Sequence, residues 1–238
     1  MYYVVQEHRK SSSNQVRALG EEGEPVAALS LISDQVAGLE GAIKSALDRW
    51  TDEQPMGRWS KSVKGIGPVI SAGLLAHIDV TKARTAGAVW RFAGLDPTSK
   101  WGKGQKRPYN ARLKVLAWKI GESFARQIGR DGAFYADHLV KRKAYEVDRN
   151  ERGELAKQAQ DVIDRKGVGK DTEAYKTLLE GKLPAFLLER RARRWTAKLF
   201  LAHWFEVAYE LHYGEPPPSP YPIAHQGHVH KIEPPVPA

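Results

Sequence analysis

Apolar positions recur at three- and four-residue steps along most of this chain, so its elements are predicted to be helices. Val26, Leu29, Ile32 or Ser33, Val36, Leu39 or Glu40, Ile43 and Leu47 predict one long helix over 25–50, closed by Trp50 and broken at Thr51-Asp52-Glu53-Gln54-Pro55. Residues 1–22 carry no such stripe. A short β-like start passes into Lys10-Ser11-Ser12-Ser13-Asn14, and loose order is expected there. Thr85 is placed to cap a short helix through Phe92; Gly94 ends it, and Asp96-Pro97 forces an extended turn. Asn110 to Gln127 is predicted helical, with Leu113, Leu116, Ala117, Ile120 and Phe124 as its apolar face. Residues 130–165 alternate acids and bases as one long exposed helix, with Arg149–Gly153 as the place where it bends. Leu183-Pro184 opens a last helix over 185–213. Its second half is apolar nearly all round, as a helix buried between layers requires, and Gly214 stops it. A polyproline-like stretch, Pro216-Pro217-Pro218-Ser219-Pro220-Tyr221-Pro222, leads into His225-Gln226-Gly227-His228-Val229-His230. The predicted fold class is all-α.

One stretch stands apart from this periodicity. Val63-Lys64-Gly65-Ile66-Gly67-Pro68 precedes the apolar run Val69–Ile78. Two glycines around one aliphatic residue allow a tight turn with positive φ, and Ile66 can plug back into the core. Pro68 suits the first turn of the next helix, where its missing N–H costs nothing. This is the signature of a helix-hairpin-helix. Lys64 and the backbone N–H groups of Gly65, Ile66, Gly67 and Val69 would then face an anion at a helix N-terminus. An ordinary glycine-rich turn between two helices is the plainer alternative. Lys166-Gly167-Val168-Gly169-Lys170 repeats the theme without the spacing of a nucleotide-binding loop and reads as a connector.

Charge points to the anion. The 238 residues carry a formal net charge of +9, which favours a polyanionic partner. Between Pro97 and Gly121 seven basic residues follow one another without an acid: Lys100, Lys103, Lys106, Arg107, Arg112, Lys114 and Lys119. Gly102 and Gly104 loosen the first half. Trp101 and Tyr109 are interleaved and suited to stacking on bases. Arg190, Arg191, Arg193 and Arg194 form a second basic strip on the last helix. DNA is the expected partner, with RNA as the variant, and binding through such contacts needs no cofactor. The chain has no cysteine, hence no disulfide and no thiol nucleophile. No apolar run approaches the roughly 20 residues that span a bilayer, and the N-terminus has no signal-peptide pattern. No membrane partner and a cytoplasmic location, in a bacterial or phage-infected cell, are expected.

Gly65-Ile66-Gly67-Pro68, Ala72, Leu74-Leu75-Ala76, Phe92-Ala93-Gly94-Leu95-Asp96-Pro97, the basic glycine loop and Asn110-Ala111-Arg112-Leu113 come in an order that resembles the C-terminal domain of the IS-110/IS-116/IS-902 insertion-sequence transposases. The resemblance covers about residues 57–127. It implies a helix-hairpin-helix domain that handles DNA in transposition and recombination, on a mobile element or phage. It also implies a metal-binding, RuvC-like acidic domain and a nucleophilic serine in a Ser-Gly pair. This chain reads Thr98-Ser99-Lys100-Trp101-Gly102 at that place, so Trp101 stands where the serine is expected and Ser99 lies two residues early. Fewer than 60 residues precede the hairpin region that begins at 57, too few for the acidic domain. The resulting organisation is an N-terminal segment and packing helix (1–55), the transposase-like domain (56–129), a charged helical extension (130–213) and a Pro/His-rich tail (214–238).

The expected function is therefore a DNA grip of transposase type. The family chemistry would be reduced, or dependent on a partner chain with the RuvC-like domain; self-association is a further option. The alternative is an active recombinase or nuclease. It would use Ser99, steadied by Lys100 and Lys103, or a metal (Mg²⁺ or Mn²⁺ in such chemistry) held by His225, His228 and His230 with Glu206 or Glu210. His203, Glu206 and Glu210 make a polar stripe on the last helix, and a folded-back tail whose histidines bond to these carboxylates is the third option.

Overall fold

The computed structural model describes residues 1–23, 25–165, 168–219 and 231–236. Among them the protein is all-α, with ten α-helices, one 3₁₀ turn and no strand. The chain divides into two compact units. Residues 1–61 and 67–76 form one, and residues 62–66 and 77–238 form the other, so the path crosses after Lys61, after Ile66 and after Ala76.

The first unit contains α1 (Tyr2–Glu21), α2 (Ala27–Glu53), α3 (Pro55–Ser62) and α4 (Pro68–His77), the last two each reaching one position beyond its bounds. The loose N-terminus expected from the sequence is instead a 20-residue helix. It packs antiparallel on α2 through a polar seam, which a search for apolar stripes cannot find. Glu40, 8% exposed, accepts from the Tyr2 hydroxyl at 2.7 Å, from Gln6 Nε2 at 2.9 Å and from the Arg9 guanidinium. Arg9 first, then Tyr2, hold its carboxyl down at about 2. Ser13 and Ser33 meet at 3.1 Å. The serine run does not break the helix, because Ser12 Oγ donates back to the His8 and Arg9 carbonyls. On α2 the inward stripe thus runs through Ser33 and Glu40, while Ile32 and Leu39 face outward, both over half exposed. Ser71 Oγ of α4 donates to the Gly57 carbonyl of α3 at 3.3 Å, tying these two helices together.

The second unit is built on α10 (Ala185–Tyr213), which packs against α5 (Ala86–Phe92), α6 (Ala111–Ala125) and α7 (Phe134–Glu151). The predicted face of α6 is the buried one: Leu113, Leu116, Ala117, Ile120 and Phe124 are all within 3% of full burial. Phe124 stacks on Tyr135 at 4.7 Å and meets Phe200 edge-on at 5.5 Å, so one aromatic cluster joins α6, α7 and α10. Removing either phenylalanine ring would cost about 3–5 kcal/mol.

The long helix predicted over 130–165 is two helices, α7 and α8 (Ala156–Asp164), separated by a turn at Gly153. The break lets Leu155 and Ala159 fold under Leu178 of α9 (Glu173–Leu179) and under Leu183 and Leu188, making a small second core. Asn150 holds it shut. Its side chain donates to the Leu183 carbonyl at 3.1 Å and accepts from the Leu183 N–H at 2.8 Å. No helix among the described residues is long and apolar enough to cross a membrane.

Candidate nucleic-acid interface

The turn before α4 is closed by the Ile66 N–H bonding to the Val63 carbonyl at 2.9 Å, with Val63 and Ile66 both buried. Gly65 has φ of 101°, a conformation side chains disfavour. A Cβ there would also lie 3.1 Å from Gln127 and 3.3 Å from Phe124. The Gly65 carbonyl accepts from Ser123 Oγ, and Lys64 Nζ donates to the Asp131 carbonyl. The turn Ser62–Ile66 is thus docked on the end of α6. Gly67 is different: its φ is not positive, and a Cβ there would meet open space. Positive φ, expected around both glycines, is needed at Gly65 alone. The Ile66 N–H and the Lys64 ammonium are engaged within the protein. Val69 lies in the first turn of α4, where the helix supplies no acceptor for its N–H.

Thr85 caps α5 as expected, accepting from the Ala88 N–H at 3.2 Å. From Leu95 the chain makes an irregular excursion that returns at Asn110. Its two ends are clipped: the Asn110 N–H bonds to the Phe92 carbonyl at 2.8 Å, and Tyr109 packs over Gly94. Asn110 also caps α6, accepting from the Arg112 and Leu113 N–H groups at 2.9 and 3.1 Å. Asp96 stiffens the entry by bonding to Thr98 and to Arg91. Between these anchors the cations stand in solvent. Arg107 lies over the half-exposed Trp101 ring at 5.5 Å, and Lys114 over Tyr109 at 4.4 Å. Among the described residues no carboxylate pairs with Lys100, Lys103, Lys106, Arg107, Arg112 or Lys114.

The four arginines of α10 do not behave as one strip. Arg191 turns inward to Glu146 at 2.8 Å and to Gln158, and Arg193 is tied to Glu122 and to Glu189 at 2.9 Å. Glu189 is further held by Lys143 at 2.6 Å. Arg190 and Arg194 alone are exposed. The composition of the helix could not distinguish these pairs, because their carboxylate partners come from α6, α7 and α10 itself.

Ser99 sits in the turn after Asp96, its N–H directed to the Asp96 carbonyl at 3.4 Å. No titratable side chain among the described residues hydrogen-bonds to its hydroxyl. Lys198 was not foreseen near this loop. Its ammonium lies over the Trp90 ring at 4.2 Å, and burial pushes its pKa down while the charge of Asp96 opposes that. Trp90 in turn donates to the Lys198 carbonyl at 2.8 Å.

His225, His228 and His230 lie outside the described residues. The described residues hold no group of three or more His, Asp or Glu placed for a metal ion. Of the polar stripe His203, Glu206 and Glu210, the first two are turned toward the protein. His203 is 2% exposed, with Nε2 at 2.7 Å from the Ile232 carbonyl and Nδ1 at 2.8 Å from the Tyr135 hydroxyl. A carbonyl only accepts, so Nε2 carries the proton and Nδ1 accepts from Tyr135. The tail does fold back on α10, but through Ile232 and through Lys231, which pairs with Glu206.

Burial pushes the His203 pKa down to about 4, against a partial opposing pull from the Ile232 carbonyl. The unfolded chain takes up this proton near 6.5 and the folded protein near 4. Stability is therefore expected to fall as pH drops through that window, by on the order of 3 kcal/mol in all, with no contribution above it. Thermal unfolding across pH should show this slope in the native protein and lose it in His203→Gln. An equal slope in the variant would assign the acid sensitivity to other groups.

Residues 60–116 match the Transposase IS116/IS110/IS902 family. The matched segment runs from the end of α3 through the turn, α4, α5 and the clipped loop into the start of α6. No curated protein and no solved structure matches the chain. The transposase-family segment thus contains the whole unpaired cationic loop and Ser99, whereas the arginines of α10 lie outside it.

Proposed function

We propose that the protein binds DNA as the gripping component of a mobile-element or phage transposase, with the strand chemistry supplied by, or shared with, a partner chain. One observation carries this reading. The loop whose cations are left without carboxylate partners lies inside the segment that matches a transposase family. Several arginines elsewhere are consumed in internal pairs, as at Glu146, Glu154 and Glu122. A loop that holds unneutralised lysines on a fixed base is arranged for phosphates rather than for the fold. The turn before α4 adds a place where a backbone can approach closely, at Gly67 and Val69. Contacts of this kind set register and carry little sequence information.

The two glycines provide the test. Gly65 is needed by the fold, so its replacement is uninformative about binding. Gly67→Val adds a side chain into open space and leaves thermal stability unchanged. If a phosphate approaches this turn, duplex affinity falls about tenfold or more, because the loss of even one charge-assisted contact is worth that much. Fluorescence anisotropy with labelled duplex and branched DNA measures it. Unaltered affinity in Gly67→Val removes the hairpin from the interface, and no binding of the native protein at moderate salt removes DNA altogether. Running the same substrates with Mg²⁺ or Mn²⁺ and Ser99→Ala separates a grip from an active recombinase: cleavage that depends on Ser99 would establish the latter.

A further inference from the structure

A groove of about 550 Å³ lies in the second unit between α6, the Gly94–Leu95 turn and α10. This is within the range of pockets that take one small organic ligand. Its walls are aromatic and exposed. Trp118 of α6 is 61% exposed and Phe186 of α10 is 43% exposed. The floor is electrically quiet, because Arg193 on Glu122 and Glu189 and Lys143 on Glu189 set two cations against two acids that would repel a phosphate. The rim is positive. Lys114, Arg190 and Arg194 line the groove, all exposed and none paired with a carboxylate among the described residues. Arg190 and Arg194 are one helical turn apart and also line a second groove of about 420 Å³ on the other flank of α10, which Arg165 borders. They form a cationic ridge between two hollows. Arg190 lies over the Phe186 ring at 5.2 Å, whereas no ring of the described residues covers Trp118.

The geometry points to a site for an unpaired nucleobase of a single-stranded nucleic acid, stacked on Trp118, with its flanking phosphates on Lys114, Arg190 and Arg194. An aromatic face beside unpaired cations is the pattern that tracks a single strand, since every base has a π-face and every linkage a charge. A duplex offers the cations its phosphates but keeps its bases stacked, so it leaves Trp118 unused. The inference rests on the nucleic-acid reading above and shares Lys114 with it, but its other residues differ: Trp118, Arg190 and Arg194 lie beyond the matched segment, and none belongs to the hairpin.

The test compares short labelled single-stranded DNA, single-stranded RNA of the same sequence and duplex DNA, titrated against the full chain, Trp118→Ala and Trp118→Phe. Trp118 is exposed, so both variants should keep the native thermal midpoint. Trp118→Ala is expected to weaken single-strand binding about five- to a hundredfold, with Trp118→Phe recovering most of it and the duplex little changed. A single strand with abasic positions should bind the native protein as weakly as the intact strand binds Trp118→Ala. The DNA and RNA arms identify which strand occupies the groove. Unaltered single-strand affinity in Trp118→Ala, or an equal loss on duplex, overturns the proposal. A shift in oligomeric state on Trp118→Ala, seen by light scattering, also overturns it by assigning the groove to a second copy of the chain. Loss of duplex binding in Gly67→Val with the Trp118 effect intact, or the reverse pattern, tells the two sites apart.

Discussion

Replacing Glu146 with glutamine is expected to cost about 2–4 kcal/mol of folding stability, the largest effect of any single charge among the described residues. Its carboxylate is 1% exposed and meets Arg142, Arg191 at 2.8 Å and Arg149 at 4.0 Å. Burial alone would push its pKa up, but the hydrogen bonds from Arg191 and Arg142 outweigh that and hold it below the usual carboxylate range. Glutamine keeps the shape and one acceptor but removes the charge that three guanidinium groups converge on. Two arginines at the seam of α7 and α10 would then stand close together with no counterion. Their side chains are about a quarter to a third exposed, so water recovers part of the loss, and the figure sits toward the low end of what breaking a buried pair costs. Urea unfolding of the native protein and Glu146→Gln, with the slopes compared, measures it. A difference under about 1 kcal/mol, the range of exposed pairs, would mean the guanidiniums resolvate freely and the network is a surface feature.

The largest functional effect is expected from the clipped loop. Changing Lys100, Lys103, Lys106 and Arg107 together to glutamine removes four charges that no carboxylate neutralises. The anchors at Phe92, Asn110 and Asp96 are untouched, so the fold should hold and the thermal midpoint should not fall. Each phosphate neutralised contributes about 0.9 to the slope of log affinity against log salt, so the slope should become shallower by about 3.6. At low salt the affinity for duplex DNA should drop by on the order of a hundredfold or more. Anisotropy titrations across a salt series give both numbers. A weakened affinity with an unchanged slope would mean the loop acts by shape; an unchanged affinity would send the search for the phosphate contacts to α10.

Much of the second unit can be read from the sequence, because its elements announce themselves in apolar spacing. The stripe Leu113–Phe124, the caps Thr85 and Asn110, and the long α10 all have local signals. The misread parts share another physics. The α1–α2 seam is held by Tyr2, Gln6 and Arg9 on Glu40, and a polar seam has no hydrophobic period. The division of 130–165 into α7 and α8 is set by Leu155 and Ala159 meeting Leu178 and Leu188, partners that arrive from a distance in the chain. The candidate interface divides in the same way. The uninterrupted basic run and the Gly65–Pro68 turn are local patterns. That Arg191 and Arg193 face carboxylates while Arg190 and Arg194 face water is decided largely by two other helices, α6 and α7. Trp118 carries no signal at all, since one aromatic on the outer side of an amphipathic helix reads as an ordinary surface residue.

The threefold crossing of the chain between its units has a consequence for biosynthesis. As the polypeptide leaves the ribosome, α1 and α2 can pair at once, since their contacts span fewer than 40 residues. The turn Ser62–Ile66 emerges next, but its partners Ser123 and Asp131 lie 58 and 67 residues further on. For that interval α4 is available to the N-terminal helices while the turn that leads into it has nothing to dock on. The Gly65 conformation is therefore fixed late, after α6 has been made, and the nascent chain exposes Val63 and Ile66 until then. Long-range closure of this sort is where folding is slowest and a helper chaperone most useful.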